Sequence, residues 1–308
     1  MKDPLDISHE IQSALNRNAA VVALESSVIA QGLPSPTNVE TALAMEEAVR
    51  EAGAVPATVG VIEGKVRIGL SRDEIEKLGR GEATKLAARD VPHAVLSRID
   101  GGTTVSATAR IASAAGIGVM ATGGIGGVHR HSASTHDISA DLWEMVRTPV
   151  VIVASGPKAV LDVPATAEWL ETHGVPVYGY QTDEMPAFYS RKSGVPITRF
   201  DKLDDLAELI RGSFGVMGLR SAILIGVPVP EADEVDVGAQ IDAAANEAER
   251  QGICGKQLTP WLLKRVAELT GGRSQQANVA LLVNNARVAG GLACALAEDS
   301  QRRMGFVV

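Results

Sequence analysis

A chain of 308 residues with 45% hydrophobic content has material for a large core, and its length suits one big α/β domain or two smaller ones. A net charge of −8, no useful cluster of Lys and Arg and only 3% aromatic residues exclude the electrostatic footprint and stacking platforms of a binder of nucleic-acid polymers, so a small-molecule ligand is expected. No uninterrupted run of about 18 apolar residues signals a membrane span, the polar start MKDPLDISHE is unlike a signal peptide, and Cys254 and Cys294 lack metal spacing and read as buried reduced thiols of a cytoplasmic protein.

Apolar strand-like runs alternate with helix-period segments along the chain. Residues 19–27, AAVVALESS, read as a strand. Residues 38–53 read as a helix, with Asn38 as its N-cap and Gly53 just past its end. Residues 56–70, PATVGVIEGKVRIGL, read as two strands joined in a hairpin at Glu63-Gly64. A small-residue helix over 103–117 leads into a strand over 118–122. The run 150–155 reads as a buried parallel strand, and after Lys158 comes a helix with Pro164 in its first turn, ending at Gly174. Strands over 175–182 and 221–230 follow, and from Asp233 the chain is nearly all helical, including two amphipathic helices around Gly271-Gly272. This alternation predicts an α/β fold: a single α/β/α layered domain over residues 1–308, with a mostly parallel central sheet, one antiparallel pair and a largely helical C-terminal third. No internal repeat, low-complexity tract or linker divides it.

Lys158 stands at the carboxyl end of the 150–155 strand, behind Gly156-Pro157. Ligands of open α/β sheets bind at the carboxyl ends of strands. Burial there favours a neutral amine that attacks carbonyl carbon to form a Schiff base; a lysine that holds a phosphate or snorkels to water is the plainer alternative. Glu25, among Leu24, Val28 and Ile29, needs a partner or a role because desolvation disfavours a carboxylate. General acid–base work and a structural carboxylate paired with an arginine or backbone amides are equally open.

The stretch ATGGIGGVHRHSASTHDISAD, residues 121–141, places four glycines after a strand end, where backbone N–H groups can face an anion. It is neither a P-loop nor a dinucleotide fingerprint, since counting from Gly124 the third glycine falls at His129. His129, Arg130, His131 and His136 add donors suited to phosphate, against the alternative of solvated histidines on a flexible loop. Asp137 and Asp141, four apart, would share the face of a helix start, with Asp137 as its cap or as a ligand for a hard cation such as Mg²⁺ or Mn²⁺. Lys85 is a second candidate cation in what reads as helix surface. Asn278, Asn284 and Asn285 on the last helix reach a site or serve the core and helix caps.

In order, ALESSVIAQGLPSPTN, TKLAARDVP, TTVSAT, ATGGIGGVHR, HDISADL, SGPKAVLD, GVPVYGYQTDEMPAFYSR, GKQLTPWLLKRVAELTGG and NVALLVNNA resemble the pseudouridine-5′-phosphate glycosidase family, whose relatives include indigoidine synthase A-like proteins. The resemblance covers residues 19–287. It implies a homotrimer of α/β/α subunits, each with a manganese-dependent site. The activity it implies is reversible cleavage of the carbon–carbon glycosidic bond of pseudouridine 5′-phosphate to uracil and ribose 5-phosphate, in pseudouridine catabolism. Under it Glu25 falls on the proton donor, Lys158 on the nucleophile and Asp137 on the manganese ligand. Lys85, Val105, Ser139, Ala140 and Asp141 fall on substrate contacts, and Asn278 on an asparagine of the site. His129 and Arg130 are expected as further phosphate or solvent contacts. Gln31 and Ser35 stand where relatives commonly carry His and Tyr, and Pro157 where they often carry Ala; these departures bear on substrate positioning and leave the chemistry intact. A class I aldolase-like lyase on another phosphorylated sugar would share the lysine and phosphate chemistry. A non-catalytic sugar-phosphate sensor would not need a nucleophilic lysine, and an enzyme acting on tRNA is disfavoured by the acidic charge and scarce aromatics.

Overall fold

The computed structural model describes residues 5–130, 132–253 and 255–304. Its strands are β1 Leu5–Ile7, β2 Val21–Leu24, β3 Val55–Ile62, β4 Lys65–Ile68, β5 Thr84–Leu86, β6 Gly101–Thr103, β7 Val119–Ala121, β8 Val128–His129, β9 Val151–Ala154, β10 Leu161–Asp162, β11 Val177–Tyr180, β12 Thr198–Phe200 and β13 Ile223–Gly226. Its helices are α1 His9–Asn16, α2 Thr37–Glu51, α3 Arg72–Leu78, α4 Val91–Ser97, α5 Val105–Ala114, α6 Ser132–Thr135, α7 Ala140–Arg147, α8 Val163–Thr172, α9 Leu203–Arg211, α10 Gly238–Arg250, α11 Leu258–Leu269 and α12 Arg273–Met304.

The main sheet runs β1-β4-β3-β2-β7-β9-β13-β11-β12, with β6 added beside β3 and β5 beside β6. Every pair from β3 through β2 to β12 is parallel. The expectation of a single antiparallel pair is corrected: β3 pairs antiparallel with both β4 and β6, and β8 with β10 forms a separate antiparallel ribbon. The β3–β4 hairpin turns where expected, because Glu63 and Gly64 both take left-handed φ, +53° and +78°, the demand of a type I′ turn. Alternation along the strands makes two cores. Val22 and Leu24 pack with Met45 of α2, Leu206 of α9 and Leu281 of α12, while Val21 and Ala23 pack with Ile111 of α5, Leu142 of α7 and Leu170 of α8. The result is the three-layer α/β/α arrangement expected, with the helical C-terminal third closing one face.

Three details position the site. The β2 strand stops at Leu24, so Glu25 to Ser27, expected within the strand, leave the sheet, and residues 28–32 form a helical turn. The α2 helix starts at Thr37, and Asn38 is not its cap. Asn38 is buried inside the first turn, where its Nδ2 donates to Ile29 O at 2.8 Å and Gly79 O at 3.0 Å and ties that turn to α3. The chain leaves β2 toward β3 on one side and leaves β7 toward β9 on the other, so β2 and β7 flank a topological switch point, where α/β sheets open a crevice. Within α12, residues Arg273–Ala297 are long and apolar enough to cross a membrane, yet Leu281, Leu282, Ala286 and Leu292 are almost wholly buried against the sheet and α2, as in a core helix. On this helix Cys294 is half-buried with its Sγ 3.4 Å from Ala52 O; Cys254 lies outside the described residues.

Candidate active site

Three neighbouring strand ends build the crevice. Glu25 follows β2 and is only 4% exposed. Its partners are neither an arginine nor backbone amides: Ser27 Oγ donates to Oε2 at 2.8 Å and Thr122 Oγ1, just past β7, donates to Oε1. Two hydroxyls thus orient the carboxylate without a described cation neutralising it. Lys158 follows β9 through Ser155-Gly156-Pro157. Gly156 has φ +72°, and a Cβ there would collide with Pro186 O, so glycine is the residue this turn admits. The turn is clipped to the glycine loop, with Ile125 N donating to Gly156 O and Lys158 N donating to Ile125 O, both at 3.0 Å. Glu25 and Lys158 then line one small cavity, about 50 Å³, together with Lys85, Gln31, Asn278 and Phe188. Lys85 sits half-buried on the short strand β5, not on helix surface as expected. Asn278 is 6% exposed, and among the described residues its carboxamide has no hydrogen-bond partner, leaving it to a ligand.

A larger cavity of about 260 Å³ adjoins, and Lys85, Lys158 and Thr259 line both. Its other walls include Arg89, Thr104, His129, Asp137, Ser139, Ala140 and Asp141. Burial pushes the His129 imidazole below the usual histidine range; Asp137, 3.9 Å away, opposes this, and Lys85 and Lys158 reinforce it. The lysines and Arg89 make this cavity suited to an anion with the charge of a phosphate.

The glycine loop works otherwise than expected. The N–H groups of Ile125, Gly126 and Val128 go to Gly156 O, Asp141 Oδ2 and Thr166 Oγ1, so they do not face an anion. Asp137 and Asp141 do not share a helix face either. Ser139 caps α7, accepting from Asp141 N at 3.2 Å, while Asp137 lies upstream with its carbonyl accepting from His129 N at 3.1 Å. Asp141 is buried, and its two oxygens accept from Ser106 N and Gly126 N, each at 2.9 Å, stapling the start of α5 to the glycine loop. Of these two, Asp137 is the carboxylate with capacity for a metal. Among the described residues no three His, Cys, Asp or Glu side chains gather as a metal cluster. One half-exposed carboxylate on a phosphate-sized cavity fits a hard divalent ion completed by water and phosphate oxygens, and does not fit zinc or copper.

Other candidates scatter. Val105 is 1% exposed and lines neither cavity, although its neighbour Thr104 does. Arg130 is exposed and pairs with Asp242 of α10 at 2.5 Å, so it is no phosphate contact here. His136 is exposed with φ +55°, and His131 lies outside the described residues. Gln31 holds Ala83 O at 3.4 Å, Pro157 bridges to Ile125, and Ser35 is exposed. Asn284 lines a separate cleft with Arg191 and Arg199. Sequence reasoning misses Arg89 and Thr122. Arg89 sits four residues after Lys85 within TKLAARDVP, a spacing that looks like one helix face and is in fact a strand followed by a helical turn.

The model of the family described as "Indigoidine synthase A like protein" matches residues 10–295. The chain is 51% identical to the pseudouridine-5′-phosphate glycosidase of Methylobacterium nodulans, over 95% of this chain and 88% of that protein. It is 47% identical to the protein of the same name from Escherichia coli, over 98% and 97%. Among solved structures, the prealnumycin C-glycosynthase AlnA in complex with ribulose 5-phosphate matches with a TM-score of 0.90 at 42% identity, over 98% of this chain and 100% of that one. An indigoidine synthase A-like protein from Thermotoga maritima matches at 0.86 and 36%, over 95% and 96%. With the family model and near-full-length relatives in agreement, the chain belongs to the indigoidine synthase A-like family.

Proposed function

We propose that this chain cleaves, reversibly, the carbon–carbon bond between C1′ of ribose 5-phosphate and C5 of uracil in pseudouridine 5′-phosphate. The observation that carries the reading is the meeting of Glu25 and Lys158 in one cavity that opens onto a second, cation-lined one. The names of the relatives and the pentose phosphate held by the solved C-glycosynthase support the substrate class.

Ordinary glycosidases protonate a leaving oxygen and use two carboxylates. A carbon leaving group is poorer, and the small cavity is lined by a single carboxylate, Glu25, and two amines, Lys85 and Lys158. Lys85, Arg89 and Ser139 hold the phosphate, which directs C1′ to Lys158, and the Asn278 carboxamide meets the base edge. Lys158 Nζ gives a proton to the Glu25 carboxylate and attacks C1′; the C1′–O4′ bond breaks and O4′ takes that proton from Glu25. Glu25 recovers a proton from the now cationic Nζ. The Nζ lone pair then forms a C1′=N bond as the C1′–C5 bond breaks, and the electron pair left on C5 takes the proton back from Glu25, releasing uracil. Water adds to C1′, the C1′–Nζ bond breaks, and ribose 5-phosphate leaves. Asp137 would hold a divalent ion such as Mn²⁺, one per subunit, which when bound neutralises phosphate charge. The test is incubation with uracil, ribose 5-phosphate and Mn²⁺. Formation of pseudouridine 5′-phosphate, seen by mass, is expected. No C-nucleotide formed and none cleaved would reject the reading.

A further inference from the structure

We propose that Asn285, which lines neither cavity, is a positioning residue that sets Glu25 through Thr122 and the Lys158 turn through Ser155. The inference rests on the roles given to Glu25 and Lys158 above. Its starting point is a polar side chain where an apolar one is expected. Asn285 is 0% exposed on α12, flanked by the core residues Leu281, Leu282, Ala286 and Ala289. A carboxamide buried among such neighbours is costly unless every polar atom is paired.

Its partners are the ends of two adjacent strands. The last paired residues of β7 and β9 are Ala121 and Val153. Beyond them the chains diverge, held by Thr122 N donating to Val153 O at 3.0 Å and Ser155 N donating to Gly123 O at 2.9 Å. Asn285 Nδ2 enters this fork, donating to Thr122 O at 2.8 Å and reaching Gly123 O at 3.3 Å and Ser155 Oγ at 3.1 Å; Ser155 Oγ also lies 3.3 Å from Asn285 Oδ1. One planar amide therefore spans both strand ends. On the β7 side, the residue whose carbonyl it holds is the residue whose hydroxyl orients Glu25. On the β9 side, it holds Ser155, three positions before Lys158, and the Ser155 carbonyl also accepts at 2.8 Å from the N–H of Phe188 on the cavity wall. The spacing between proton donor and nucleophile is thus set by a group that touches neither.

The test uses Asn285→Ala, Thr122→Val and the double variant, with kcat and KM for cleavage of pseudouridine 5′-phosphate and a thermal midpoint for each. Misplacing reacting groups by about an ångström costs roughly 10- to 100-fold, and Asn285→Ala is expected to lower kcat by that much with KM within about threefold of wild type. Because both changes act on Glu25, the double variant should fall no more than about threefold below the slower single variant. Asn285→Ser, which keeps one hydroxyl donor, should be intermediate, and it stands in if Asn285→Ala does not fold. A lowered thermal midpoint with wild-type kcat per folded molecule would overturn the inference, as would fully multiplicative losses in the double variant. A wild-type protein with no activity in either direction would instead sink the reading beneath it.

Discussion

Lys158 and Glu25 reach one cavity from β9 and β2, two strands separated in the sheet by β7 alone. The division of labour between them makes separable predictions. Borohydride added during turnover should reduce the imine and fix a pentose phosphate on the peptide that contains Lys158. Lys158→Ala should lose essentially all turnover while still binding ribose 5-phosphate, because Lys85, Arg89 and Ser139 remain. Glu25→Ala should release no uracil even in a single turnover. Lys85→Ala should raise KM and leave the trapping site intact; borohydride labelling of Lys85 in place of Lys158 would reverse the assignment. Asp137 gives a second prediction. EDTA should abolish turnover and Mn²⁺ restore it, and Asp137→Ala should need far more Mn²⁺ for the same rate; full activity in metal-free buffer would rule this out. The reactive groups are legible in the sequence because each ends an apolar run, where a charge demands an explanation. Their partners are not. Thr122 lies 97 positions from Glu25, and nothing local announces that its hydroxyl turns toward that carboxylate. Arg130 shows the converse: adjacent to His129, it lies one residue past β8 and pairs with Asp242 of α10, while His129 lines the larger cavity.

The long elements follow from periodicity and punctuation. The α2 helix, the Glu63-Gly64 hairpin and β9 fall where apolar spacing and turn residues place them. The short strands β5 and β6 do not, because three residues, two of them glycine in β6, carry no period, and only the pairing of β6 with β3 and of β5 with β6 makes them strands. For the same reason Lys85 looks like helix surface in isolation. The α5 and α7 helices are joined by a cluster equally invisible from spacing. Glu144 is 1% exposed and accepts from Arg110 Nε at 2.7 Å and Nη2 at 3.2 Å, from Arg147, and from Thr148. Burial pushes this carboxyl up, but its hydrogen bonds to Arg110, Thr148 and Arg147 and the charge of Arg110 outweigh that and hold it below the ordinary glutamate value of 4.5. A carboxyl held low in the folded state binds fewer protons than in the unfolded chain, so its contribution is complete above that ordinary value and fades as pH falls through and below it. Glu144→Gln should therefore cost about 1–3 kcal/mol near neutral pH, and its thermal midpoint should converge on that of wild type as pH falls well below the ordinary glutamate value. A gap that is equal at both pH values would mean that the carboxylate charge contributes nothing.

Assembly is the property least accessible from a single chain, yet the surface bears on it. Aromatic residues make up 3% of the sequence, but Trp143 on α7 is 53% exposed. It meets Trp169 of α8 edge-on at 5.3 Å, and His173 stacks on Trp169 at 3.7 Å, so a contiguous aromatic patch faces outward. Leu96, Val216 and Met217 are each at least 80% exposed elsewhere. Single apolar side chains on a surface are ordinary, whereas joined ones mark surfaces that another chain covers. The homotrimer implied by the family resemblance would supply that cover, and at the site it would also cover Arg89, which lines the larger cavity and is 62% exposed. Sedimentation equilibrium at micromolar concentration should give three times the 32.1 kDa mass of the chain. Dilution to concentrations at which the trimer dissociates should lower activity in step with the loss of trimer, since an open phosphate cavity holds its ligand less well than a covered one. A stable monomer with full activity per chain would show that the exposed patches are not needed for catalysis and that each crevice is complete in a single subunit.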